Sequence, residues 1–152
     1  MNGQRAGETL ASVIDSLEAI ASNLQYIGAE VPSLAIPDEI ARRVTGVCQA
    51  FLGSLAEDDA STRRLLLALR SNPDALPPGA VEALETTVST LWKHLQAMHE
   101  LITGCLAEGA PGMNLLCGLL QESGANMLNA FIGIRKELEE LLQEWADQRA
   151  TS

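Results

Sequence analysis

Few side chains in this 152-residue chain have the chemistry for catalysis or ligation: two histidines, three cysteines and some adjacent carboxylates. His94 and His99 are five residues apart. On a helix that separation turns them about 140° from one another, so they do not share one metal. A zincin pattern needs histidines at i and i+4 with a glutamate, and a di-iron bundle needs Glu-x-x-His on facing helices. Leu91 and Gln96 stand three before each histidine, which excludes the second pattern. Cys48, Cys105 and Cys117 show no C-x-x-C spacing. Their odd number fits reduced thiols buried as small hydrophobes in a reducing, cytoplasmic compartment. If a hairpin turns near residues 109–111, Cys105 and Cys117 lie at similar distances from it, but spacing alone does not establish a disulfide. Glu139 and Glu140 read as solvated surface. No nucleophile–base pair or glycine-rich phosphate loop is evident, so the expectation is no catalytic site, no cofactor, no metal and no enzyme.

An alternative in another class is phosphotransfer signalling. The segment His99-Glu100-Leu101-Ile102-Thr103-Gly104 resembles the phospho-acceptor context of a histidine phosphotransfer domain in its His, its Leu and a displaced Gly. Ile102 stands where that family places Lys, and Glu100 would repel incoming phosphate. His94-Leu95-Gln96-Ala97 matches no better. The resemblance implies His99, or else His94, as phospho-acceptor.

The elements that must position these residues are helices. Val81, Leu84, Val88, Leu91, Leu95, Met98, Ile102 and Cys105 recur every three or four residues. So do Met127, Phe131, Ile134, Leu138, Leu141 and Trp145, with Leu116, Leu120 and Gly124 before them, and Leu10, Val13, Leu17, Ile20, Leu24 and Ile27 near the start. At about 3.6 residues per turn this spacing lays one apolar stripe along each helix. The expected fold is all-α: an antiparallel four-helix bundle, with one short extra helix between its second and third long helices. The long helices are placed at about 8–27, 38–55, 77–107 and 111–148, the third beginning at Pro77–Pro78–Gly79 with proline in its first turn. Ile40, Val44, Val47, Cys48, Phe51, Leu52 and Leu55 form the stripe of the second long helix; Glu57, Asp58 and Asp59 stand where it would continue and predict a break, with Asp59 or Ser61 capping the short helix, which stops at Asn72–Pro73. The segment 28–37 carries Val31, Leu34 and Ile36 and is expected to strap across a bundle end. One domain covers 1–152, with 1–7 and 149–152 expected to fray.

Ten basic residues against 20 acidic ones give a formal charge of −10. A nucleic-acid binder needs a basic surface to displace counterions from phosphate. Here Arg42–Arg43, Arg63–Arg64 and Arg135–Lys136 are scattered, and the last two pairs sit beside carboxylates. No nucleic-acid partner is expected. Membrane insertion is not expected either, because no run of about 20 apolar residues occurs. Glu8, Asp15 and Glu18 occupy the place of a signal peptide's apolar core.

Two segments are apolar nearly all round, Leu65-Leu66-Leu67-Ala68-Leu69 and Met113-Asn114-Leu115-Leu116-Cys117-Gly118-Leu119-Leu120. A helix apolar all round is buried all round. Either the short helix covers the start of the last helix, or these segments are an interface. Leu65, Leu66, Leu67, Leu69, Leu115 and Leu119 are accordingly the candidate interface residues. The expected function is a non-enzymatic protein–protein interaction module (adaptor, chaperone-like or regulatory) that forms a homodimer and engages another protein. A further alternative is a carrier of a small apolar ligand in a core containing Met98, Met113 and Met127.

Overall fold

The computed structural model describes residues 3–109 and 112–151. Helix α1 spans Gly3–Glu30 and a 3-10 turn follows over Val31–Ser33. Helix α2 spans Asp38–Ser71, α3 spans Ala80–Glu108 and α4 spans Met113–Thr151. No strand occurs among the described residues. The ends expected to fray are helical over 3–7 and 149–151, and residues 1, 2 and 152 lie outside the described residues. Helix α1 packs on α2 and α4, and α3 packs on the same two. Each helix thus has two neighbours, a pattern that fits a bundle.

The stripes account for this packing. Leu10, Val13, Leu17, Ile20, Leu24 and Ile27 of α1 are all buried, as are Leu84, Leu91, Leu95 and Met98 of α3 and Met127, Phe131, Ile134, Leu138, Leu141 and Trp145 of α4. Each large side chain removed from water in this way stabilises the fold by roughly 1.5–3 kcal/mol before conformational entropy is subtracted. Val31 is buried, and Leu34 and Ile36 pack partly against the core, so the segment after α1 does cover apolar surface. Gly112, at φ +81, lies so close to the Ala35 carbonyl that any Cβ would collide with it. Glycine is therefore required where the chain entering α4 meets the strap.

Helix α2 departs from expectation. No break separates a short extra helix from it; one helix of 34 residues runs from Asp38 to Ser71. The acidic run does not end the helix because its polar groups find partners. Asp58 takes a stripe position and is buried, and the Thr90 hydroxyl of α3 donates to its Oδ2 at 2.9 Å. The Thr62 hydroxyl donates to the Asp58 carbonyl at 2.7 Å, and Asp59 accepts from Arg63 Nε at 2.6 Å. Asp38 and Glu39 in the first turn and Arg70 in the last complement the helix dipole. Asn72 leaves helical geometry immediately before Pro73. Helix α4 likewise continues through Ser123 and Gly124.

Candidate functional site

The six leucines proposed as an interface do not form one surface. Leu65, Leu66 and Leu69 are buried and Leu119 is partly buried, while Leu67 and Leu115 are 62% and 70% exposed. The two segments also lie far apart. Leu66 sits 3.5 Å from where a Cβ on Gly7 would be, at the start of α1, whereas Gly112, just before the second segment, abuts Ala35, beyond the end of α1. An α1 of 28 residues, about 40 Å long, separates them. The first segment therefore does not cover the start of α4, and Leu67 and Leu115 are isolated apolar side chains.

The histidines are placed differently from each other. His94 is half-buried with its ring stacked on Phe51, centroids 5.0 Å apart. Burial, and then the neighbouring Lys93, holds its pKa below the usual histidine value. His99 is exposed and lines a groove between α3 and α4. Lys93, the one lysine of α3, lies about 120° around the helix from it. Cys48, Cys105 and Cys117 are buried, and burial pushes the Cys48 thiol up to about 11. Among the described residues no cluster of His, Cys, Asp and Glu could hold a metal ion, and no helix is long and apolar enough to cross a membrane.

This α3–α4 groove encloses about 580 Å³. Its α3 wall carries Trp92, Gln96, His99, Thr103 and Leu106, and its α4 wall carries Gln121, Ala125 and Leu128. Leu95, Met98, Ile102 and Gly124 lie between them. These residues lie together because two off-stripe rows converge. Positions 92, 99, 103 and 106 sit about 60–120° from the centre of the α3 stripe, and 121, 128 and 132 sit about 100–140° from that of α4. Trp92, Leu106, Leu128 and Ile132 are all exposed large hydrophobics. Trp92 stacks on Phe131 with centroids 5.7 Å apart. Beyond Trp92 a second hollow of about 450 Å³ continues along the same helix pair, lined in part by Glu85, Leu138 and Leu142 and by Arg135 and Glu139, which pair at 2.9 Å. Gly124 holds the floor of the larger hollow low, since a Cβ there would come within 3.3 Å of Ile102 Cδ1.

Among the described residues no carboxylate, lysine or arginine lines the larger hollow, and His99 is the one titratable side chain that does. In a chain with 20 acidic residues this is a marked depletion. An apolar patch rimmed by uncharged polar side chains is the composition of a protein-docking surface. Sequence reasoning missed it because no run of apolar residues announces it. The available signal was a row of apolar and uncharged residues flanking each stripe on α3 and α4, where charged residues were to be expected.

Comparison with family models, with curated proteins and with solved structures finds no match to this chain.

Proposed function

We propose that this chain is a non-enzymatic protein–protein interaction module that docks through its α3–α4 face. The observation that carries the reading is the exposed set Trp92, Leu106 and Leu128 lining a groove with no charged side chain among its described residues, with exposed Ile132 one turn beyond Leu128 on α4. We further propose an antiparallel bundle in up-down-up-down order beneath it. Arg5 bonds Glu144 and Ser12 bonds Glu137, so positions rise along α1 as they fall along α4. Asp58 with Thr90 and Phe51 with His94 behave likewise for α2 and α3. The net charge of −10 supports a partner that is protein rather than nucleic acid. The cysteine pattern supports a cytoplasmic setting.

The test is photo-crosslinking in the native host, with a photoreactive residue replacing Gln96 or Gln121 on the groove, or Gln49 on the exposed side of α2. Adducts from positions 96 and 121 but not from 49 are expected. No adduct from the groove positions, or equal yields from all three, sinks the reading.

A further inference from the structure

We infer that the α3–α4 face takes a second copy of this chain in a two-fold dimer, with Trp92 of each copy seated in the larger hollow of the other. This rests on the docking reading above and names its partner.

Charge is the first ground. Two copies at −10 each repel one another over most orientations. A contact between them is electrostatically permitted only where both surfaces lack charge. Among the described residues the lining of the larger hollow, drawn from Trp92 to Leu106 on α3 and from Gln121 to Leu128 on α4, meets that condition, while Lys93, Glu100 and Glu122 of the same stretches do not line it. A partner selected for strong opposite charge would leave a complementary charged lining, and this lining has none. Gln96 and Gln121 each carry a donor and an acceptor on one amide. Each can therefore donate or accept across a two-fold contact, in which residue i of one copy meets j of the other and j meets i.

Shape is the second ground. An isologous interface pairs a patch with itself, so projection and recess must lie side by side on it. Trp92 is 47% exposed and stands between hollows of about 580 and 450 Å³. Gly124 and Ala125 leave the larger one shallow-walled on the α4 side. A buried indole is also the commonest kind of anchor at protein interfaces.

Size is the third. The face from position 85 to 106, which adds to the uncharged hollow the second one with Glu85, Arg135 and Glu139 as a charged edge, is about 32 Å long, and two packed helices are about 20 Å wide. The projected area is on the order of 600 Å², approaching the roughly 800 Å² per partner of a stable interface once side-chain relief is included.

The test uses the full chain. Sedimentation equilibrium and tryptophan emission are followed from about 1 to 100 µM, the range set by ordinary micromolar association. The chain has two tryptophans, and Trp145 is already buried. A blue shift with rising concentration therefore reports Trp92 leaving water. Wild type is expected to dimerise with that shift. Ala125→Glu and, separately, Gln96→Glu put a glutamate from each copy into the uncharged contact and should weaken the dimer at least about 100-fold. Both positions are exposed, and helical circular dichroism verifies that each variant folds. Gln49→Glu should leave the dimer unchanged. A wild-type monomer at 100 µM overturns the inference, as does a dimer that survives both groove variants. If crosslinks from position 96 join a different protein and none has twice the chain's mass, the second copy is wrong while the docking reading stands. If position 96 gives no adduct, both fail.

Discussion

The outer side of the α1–α2 pair and that of the α3–α4 pair rest on the same apolar stripes and diverge beside them. On α1 and α2 the exposed positions include Arg5, Glu8, Asp15, Glu18, Glu39, Arg42, Arg63 and Arg64. Arg63 reaches both Glu18 and Asp59 there. The exposed large hydrophobics on that pair are Tyr26 and Leu67, which sit near opposite ends. On α3 and α4 the corresponding flank carries Trp92, Leu106, Leu128 and Ile132, with glutamine and threonine between them. The stripes stabilise the fold and are shared; the flanks distinguish a charged, solvated side from the apolar side proposed for docking.

The largest effect should come from what the two sides share. Leu138→Ala removes a fully buried side chain and is expected to cost about 2–5 kcal/mol in denaturant melts. Leu128→Ala, on the docking flank, should cost under about 0.5 kcal/mol at concentrations where the chain is monomeric. Equal losses for the two would erase the distinction between stripe and flank.

Next comes Asp58, the charged group that lies inside the stripe. Burial pushes its carboxyl up from 3.8 to about 6, against the lowering effect of the Thr90 bond, and Glu57 raises it further. Since the folded value lies above the unfolded one, the folded state holds its proton more tightly. Its contribution to stability is complete below about pH 4 and is lost as pH rises to about 6. Asp58→Asn carries no such penalty. Its stability relative to wild type should therefore rise by on the order of 2–3 kcal/mol between pH 4 and pH 7. Urea midpoints for both proteins across that range check the sign, and a constant difference would place Asp58 in solvent.

Smaller effects should follow at the isolated leucines. Leu67→Gln and Leu115→Gln should each change stability by less than about 0.5 kcal/mol and leave sedimentation unaltered. Disruption by either would return the interface to the leucine-rich segments. The smallest effect should come from Arg63→Ala on the solvated side, where both partners are half-exposed and screened. Its thermal midpoint should not move measurably.

The stripes were legible because helical spacing depends only on positions along one chain segment. Helices α1, α3 and α4, the first half of α2 and most of the buried core follow from Leu10 through Trp145 on that basis. The continuity of α2 was not legible, because Asp58 is satisfied by Thr90, 32 residues away on another helix. The run Leu65 to Leu69 also misled. Its composition is apolar, but Leu65, Leu66 and Leu69 turn inward and Leu67 outward. The apolar α3–α4 face proposed for docking was hidden for the opposite reason. Trp92, Leu106, Leu128 and Ile132 are separated by 4–22 residues between successive members or lie on different helices, so only tertiary packing brings them into one row.

The most direct test of the docking claim is the sedimentation and tryptophan emission of wild type beside Ala125→Glu. A wild-type dimer whose emission shifts to the blue as it forms, and a folded Ala125→Glu monomer whose emission does not, is the predicted result. A wild-type chain that stays monomeric at 100 µM with unchanging emission, and whose groove positions yield no crosslinked partner in the host, would contradict the assignment of the α3–α4 face as a docking surface.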